Sequence, residues 1–292
     1  MRRLYLAVAL AAATPLAAQT DWSKVEVKSQ HVAGSVHVIT GAGGNVGVSV
    51  GEDGIVIVDD QYAPLAPKIE AALDAISKLP VRFVINTHYH GDHTGGNEHF
   101  GKAAPIVAHE NVRERLAAGT TGRGRTVPPA PKDALPVVTF RDSVTIHLNG
   151  EDVRAVHFPH AHTDGDAVIW FTQSNVVHMG DNFFNGAFPV VDLDNGGSVA
   201  GIIAVAEKVA SMIPSDAKVI PGHGPLGDRD ALKRFAAMLR ETSAAVAAAV
   251  AAGKTLDQIK SENILGPWGA TWGNGYIKTD RWAELLVADL AR

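Results

Sequence analysis

The run Val81-Arg82-Phe83-Val84-Ile85-Asn86 leads directly into Thr87-His88-Tyr89-His90-Gly91-Asp92-His93-Thr94-Gly95-Gly96, and this junction constrains the fold more than any other feature. The run is mostly apolar and rich in β-branched residues, the pattern of a strand buried on both faces of a sheet. Three imidazoles and a carboxylate follow it within six residues. A loop at a strand end suits such groups, because the rigid sheet holds them while they stay accessible. His88 and His90 are two residues apart and project to one side of an extended chain. Asp92 and His93 follow the Gly91 turn and can face a second point. A pair of neighbouring cations is the economical reading; four unrelated polar loop residues is the competing one.

Composition narrows the chemistry. The 292 residues include thirteen His and no Cys. Disulfides, thiolate metal sites, iron–sulfur clusters and Cys nucleophiles are therefore excluded, and any metal must be held by nitrogen and oxygen. A formal charge of −5 with mixed signs argues against a nucleic-acid or anionic-membrane partner. Arg2 and Arg3 precede the apolar run Leu4 to Ala13, with small residues at Ala17-Ala18. That reads as a secretory signal over residues 1–18, with export to the periplasm or medium; the run is too short for a membrane span, and without Cys no lipoprotein anchor is expected. Residues 19–292 then read as a single domain.

Strands are expected at Val25 to Val27, Val36 to Val38, Val46 to Val50, Ile55 to Val58 and Val81 to Asn86. A helix is expected from Ala66 to Lys78, closed by Pro80. A short helix near Asn97 to Phe100, a strand at Ile106 to Ala108 and a helix from Glu110 to Ala117 follow. Gly119 to Pro136, with Arg123, Arg125 and several Pro, reads as an irregular binding loop or insertion. The second half repeats the order. Strands lie at Pro136 to Phe140, Val144 to His147, Val153 to Phe158, Ala167 to Phe171, Val176 to His178 and Lys218 to Ile220. Helices are expected at Ser198 to Ile213, Asp228 to Ala252 and Asp280 to Leu290. Strands followed by helices, twice over, predict an α+β chain arranged as a four-layer αββα sandwich.

Two motifs do not hold. Gly47-Val48-Ser49-Val50-Gly51 matches a serine-hydrolase pattern but leads through a turn into another strand, not into the helix a nucleophile elbow needs. Gly41 to Gly47 has neither the spacing nor the following helix of a dinucleotide site.

The His-rich loop gains partners downstream. His160-Ala161-His162-Thr163-Asp164-Gly165-Asp166, Met179-Gly180-Asp181-Asn182 and Pro221-Gly222-His223-Gly224 each place His or Asp just past an apolar strand, beside Gly. Between Val36 and Pro225 these segments, taken in order with His88-x-His90-x-Asp92-His93, resemble the metallo-β-lactamase-fold hydrolases. The resemblance implies that fold and a ligand set. His88, His90 and His162 would hold a first metal, and Asp92, His93 and His223 a second. Asp181 would bridge them or lie against the second. His160 rivals His162, sharing its face two residues away, and the following Thr163 favours His162. His31, His37, His99, His109, His147, His157 and His178 are read as surface or core polar residues.

An imidazole and carboxylate set suits two Zn²⁺, and also Fe or Mn. Paired dications lower the pKa of a shared water from 15.7 to around 7. Such a pair would supply the nucleophile for attack on a carbonyl, and Asp92 would both ligate and orient it as the catalytic residue. Apparent export and the form of the Asn86–Asn97 segment point to a small-molecule substrate of the β-lactam or cyclic amide class. Asp181, with Phe184 three residues on, instead resembles the superfamily's lactonases, thioesterases and phosphodiesterases, where cysteine-ligand lactamases carry a Lys. Asn182, Asn185, Arg123, Arg125 and Lys102 are the candidate substrate contacts. A mononuclear-iron persulfide dioxygenase and a zinc-binding protein without chemistry are the other readings.

Overall fold

The computed structural model describes residues 20–122 and 125–292. The expected signal at residues 1–18 lies outside them.

Strand alternation sorts the apolar residues into layers. A first sheet contains β1 (Lys28–Ala33), β2 (Val36–Thr40), β3 (Val46–Gly51), β4 (Gly54–Val58), β5 (Val81–Ile85) and β6 (Ile106–His109). After a small hairpin of β7 (Thr120–Gly122) and β8 (Arg125–Val127), β9 (Val138–Phe140) completes it, in the order β1-β2-β3-β4-β5-β6-β9. On β4, Ile55 and Ile57 face one way and Val56 and Val58 the other, as the period of two requires. The second sheet runs in sequence order through β10 (Ser143–Leu148), β11 (Glu151–His157), β12 (Ala167–Phe171), β13 (Val176–His178), β14 (Lys218–Ile220) and β15 (Gly227–Asp228).

Val56, Val58 and Ile85 of the first sheet meet Ala155, Ile169, Phe171 and Ile220 of the second, forming an inter-sheet core. Helix α1 (Ala66–Ile76) covers the outer face of the first sheet, packing Ile69 and Leu73 on Ile55, Ile57 and Val84. Two single turns, α2 (Gly91–Thr94) and α3 (Asn97–Phe100), and then α4 (Glu110–Ala118) follow in the chain. Val168, Val177 and Val219 line the outer face of the second sheet, under α5 (Val199–Met212) and α6 (Arg229–Ala251). Helices α7 (Leu256–Ser261), α8 (Gly266–Trp272) and α9 (Thr279–Leu290) close that side, with Trp282 fully buried. The result is helix, sheet, sheet, helix, as expected. Side-chain caps start the long helices: Ser198 accepts from the Gly201 amide and Asp228 from the Ala231 amide. No helix among the described residues is long and apolar enough to cross a membrane.

Four expectations need correction. Val25 to Val27 is not a strand; β1 begins at Lys28, and Val25 and Val27 pack on the outer core of the first sheet. The first half of β5 is partly exposed, because β6 pairs only with Val84 and Ile85. Gly119 to Pro136 holds the β7–β8 hairpin and a 3-10 turn at Lys132–Ala134. The short helices α7 and α8 were not expected, although α7 opens with a capping box between Thr255 and Gln258.

The topology also sets where loops emerge. β4, β5, β6 and β9 are mutually parallel, so the segments after β4 and β5 leave at one rim of the first sheet. β13 and β14 are parallel too, so residues 179–182 and 221–224 leave the second sheet together.

Candidate metal centre

Asp59, at the end of β4, shapes the His-rich loop. Its Oδ1 accepts from the Thr87 amide and its Oδ2 from the Thr87 hydroxyl, both at 2.7 Å. Asn86 and Asn97 exchange side-chain amide bonds of 3.0 and 2.9 Å, which closes the loop's far end. His90 precedes α2, and that single turn swings Asp92 and His93 to a second direction. His162 comes from the β11–β12 loop, Asp181 from the 3-10 turn after β13, and His223 from the segment after β14.

The seven expected donors come together as two adjoining groups. His88, His90, His162 and Asp181 form one, and Asp92, His93 and His223 the other; donor atoms within each lie within 4.8 Å of one another. In the first group His90 Nδ1 is 3.1 Å from His88 Nε2 and 2.9 Å from His162 Nε2. In the second, His223 Nε2 is 3.4 Å from His93 Nε2 and 3.3 Å from Asp92 Oδ2. Asp181 lies between them. Its Oδ2 is 3.5 Å from His162 Nε2, and its Oδ1 is 3.0 Å from His93 Nε2 and 3.3 Å from His223 Nε2. His160, the rival to His162, is exposed and outside both groups, with Nδ1 3.3 Å from the Gly196 carbonyl.

The outward nitrogens decide what the inward ones can do. His162 Nδ1 donates to the Val190 carbonyl at 2.9 Å, His93 Nδ1 to Asp59 Oδ2 at 2.8 Å, and His90 Nε2 to Asp192 Oδ2 at 2.9 Å. The Thr87 hydroxyl already donates to Asp59, so it accepts from His88 Nδ1 at 3.1 Å. Each neutral ring carries one proton, and here it points outward. Lone pairs of His88 Nε2, His90 Nδ1 and His162 Nε2 therefore face one another, a repulsive arrangement that a cation resolves. Buried Asp181 Oδ1 has no hydrogen-bond partner despite its two imidazole neighbours, and so fits the same role. These donors suit a borderline-soft divalent metal such as Zn²⁺.

Electrostatics separates the two groups: burial opposes charge on His93, yet Asp181, Asp59 and Asp92 outweigh it and hold that ring well above the usual imidazole range. Burial pushes His162 down to about 4 and His88 well below the usual imidazole range, keeping both neutral. Burial also opposes charge on His223, yet Asp181 and Asp92 outweigh it and raise His223 to about 9. Burial disfavours the Asp92 carboxylate, but His93 and His223 outweigh it and bring Asp92 to about 2.

Close backbone approach explains two glycines. A Cβ on Gly44 would sit 2.1 Å from His93 Cε1, and one on Gly222 would sit 2.1 Å from Asp181 Oδ1. The Gly44 amide donates to Asp92 O at 2.9 Å and the Asn45 amide to Gly222 O at 2.8 Å. The loop between β2 and β3, a bare turn in the sequence reading, thus clasps the second group.

The expected substrate contacts fare differently. Asn182 is buried and donates to the Met179 carbonyl at 3.3 Å. Asn185 donates to the Pro225 carbonyl at 2.8 Å, and Lys102 is exposed on the turn after α3. Arg123 and the side chain of Arg125 lie outside the described residues. Phe184 is buried, stacked on the His223 ring at 5.0 Å between centroids and 6.4 Å from that of His162. The remaining histidines lie outside both groups; His178, for example, is buried and donates to the Asn45 carbonyl at 2.9 Å. Asp59 and Asp192 went unnoticed in the sequence because neither belongs to a His-bearing segment.

A family model of the metallo-beta-lactamase superfamily matches residues 39–242, a span that contains all seven donors. The chain belongs to that superfamily. Among its relatives, the metallo-beta-lactamase type 2 of Bacteroides fragilis is 25% identical over 166 residues, 55% of this chain and 59% of that one. The hydroxyacylglutathione hydrolase of Nitrosococcus oceani is 28% identical over 144 residues, 48% and 47% of the two chains. This chain therefore spans about half the length of the curated relatives it matches. The solved metallo-beta-lactamase from Pontibacter korlensis superposes with a TM-score of 0.62 at 18% identity, over 74% of this chain and 99% of that one. That likeness establishes the fold.

Proposed function

We propose that this hydrolase works through two cations, zinc by donor chemistry, and opens a β-lactam or similar cyclic amide. The observation that carries the reading is the convergence of five imidazoles and two carboxylates as two adjoining groups. His88, His90 and His162 would hold one cation, Asp92, His93 and His223 the other, with Asp181 between them. Bound there, the pair would supply a water deprotonated near neutral pH and a Lewis acid for the carbonyl oxygen.

The chain's own residues set the direction of approach. Side chains of Asp92 and His223 are 24% and 30% exposed, against 0–1% for His88, His93 and His162, so substrate enters over the second group. Asp92 Oδ2 is the carboxylate oxygen at that opening, placed to orient a water and take its proton. Asn185, on the segment that follows Asp181, pairs its amide N–H with the His223 carbonyl at 2.9 Å.

Phe184 favours a second reading. Buried between two ligand rings, it offers no charge to a substrate carboxylate, which suits a lactone, ester or thioester substrate. A purified-protein screen with a chromogenic cephalosporin, a homoserine lactone, a thioester and a phosphodiester, with and without chelator, tests both. Cephalosporin hydrolysis abolished by chelator supports the first reading, and lactone or thioester turnover alone supports the second. Chelator-insensitive turnover overturns both, and one iron per chain with persulfide oxidation points to a dioxygenase.

Export, with residues 1–18 removed and residues 19–292 as one domain, belongs to the same proposal. Periplasmic protein whose N-terminus lies near Gln19 supports it, and cytosolic protein starting at Met1 refutes it.

A further inference from the structure

We propose that Asp192 is a positioning residue that turns His90 Nδ1 toward the metal centre, a role that rests on the two-cation reading above. The sequence Phe188-Pro189-Val190-Val191-Asp192 carries no motif, yet its last three residues control two imidazoles. Val190 O accepts from His162 Nδ1 at 2.9 Å, the Asp192 amide donates to His162 O at 3.0 Å, and Asp192 Oδ2 accepts from His90 Nε2 at 2.9 Å. An imidazole with one outer nitrogen committed as donor presents the other as an acceptor, which fixes both ring orientation and ligand basicity.

Asp192 is itself held from several sides. It is buried, with 1% exposure, so its carboxylate keeps its charge only through direct donors. Besides His90, the Tyr89 hydroxyl donates to Oδ2, and the Asn195 side-chain amide reaches both oxygens at 3.0 Å. Arg115 on α4 fixes the outer layer. Its NH1 donates to Asn195 Oδ1 at 2.7 Å, its Nε donates to Asp164 Oδ1 at 2.8 Å, and its guanidinium carbon lies 5.4 Å from the Tyr89 ring centroid. The frame therefore runs from α4 through Asn195 and Asp192 to a single ligand nitrogen. Rotating the His90 ring would break a charge-assisted hydrogen bond in a buried setting.

The test is Zn²⁺ affinity of the folded protein, read by competition with a chromophoric chelator so that two binding steps are resolved. Asp192→Ala should weaken one step by roughly 10- to 100-fold, with the other step unchanged. Asp192→Asn, which keeps the shape and one acceptor, should show a smaller loss at the same step. Tyr89→Phe removes one of the donors that hold the same oxygen and should give a loss at the same step smaller than that of Asp192→Ala. Co²⁺-substituted Asp192→Asn should show an altered ligand-field spectrum at one site. Wild-type affinity in both Asp192 variants overturns the inference, as does equal loss at both steps in Asp192→Asn. Failure of the wild-type protein to take up any cation overturns the functional proposal instead.

Discussion

Gly44→Ala measures how tightly the β2–β3 loop is fitted to the metal centre. The new Cβ would lie 2.1 Å from His93 Cε1, in a buried position. Ordinary contact requires the imidazole to retreat by roughly 1.3 Å. His93 Nδ1 donates to Asp59 Oδ2 at 2.8 Å, and such a retreat carries it beyond hydrogen-bonding distance. Loss of a charged buried hydrogen bond costs about 1.5–3 kcal/mol, and overpacking costs about 1–3 kcal/mol. Partial relaxation by the loop trades one cost against the other, so the expected destabilisation is about 2–5 kcal/mol. That corresponds to a melting temperature lower by roughly 5–15 °C for a chain of this size. The control is Gly91→Ala, where a Cβ meets nothing within 4 Å, so the melting point should hardly move. Differential scanning calorimetry of the metal-free proteins separates the two. A Gly44→Ala protein that melts with the wild type, or no lower than Gly91→Ala, refutes the close-fit argument.

Three further outcomes are expected. His162→Ala should lose one of two bound metals and nearly all turnover, whereas His160→Ala should keep both; elemental analysis showing equal loss would exchange their roles. Asp181→Ala removes the carboxylate between the two groups and should lower both metal affinities, the second more, in a chelator titration; unchanged affinities would argue against a shared ligand. His109 and His157 stack at 3.7 Å, and burial foremost, with neighbouring imidazoles adding to it, holds both below the usual range. Their unfolded forms take up protons near 6.5, so the unfolded chain binds more protons just below that pH and stability falls as the solution is acidified. His157→Phe should flatten the decline in urea midpoint between about pH 7.5 and 5.5, and an unaltered slope would exclude the pair as its source.

The sandwich was legible because apolar strands followed by helices occur twice along the chain. Ile55 to Val58 divides its side chains between two cores, and only two packed sheets with outer helices satisfy both faces. Boundaries were less legible where tertiary pairing decides them. Val25-Glu26-Val27 alternates like a strand, yet β2 pairs with Lys28 to Ala33 instead, in a register that opposes Lys28 to Thr40. The same rule explains β5, whose apolar sequence looked doubly buried while β6 covers only its last two residues.

Donors and the residues that aim them differ in how far the sequence can reveal them. A donor is recognisable by element: His or Asp next to Gly past an apolar strand suggests ligation wherever it occurs. An aiming residue has no such mark. Asp59 lies 34 residues before His93, and Asp192 lies 102 residues after His90, each in a segment without His. Only the parallel pairing of β4 with β5 and of β13 with β14 brings these distant segments to one rim. The inward lone pairs exist because carbonyl or side-chain oxygens from Val190, Asp192 and Thr87 take the outward protons. With cations bound as proposed, affinity would depend on these outer acceptors as well as on the seven donors, and replacing an acceptor should change affinity without removing any ligand.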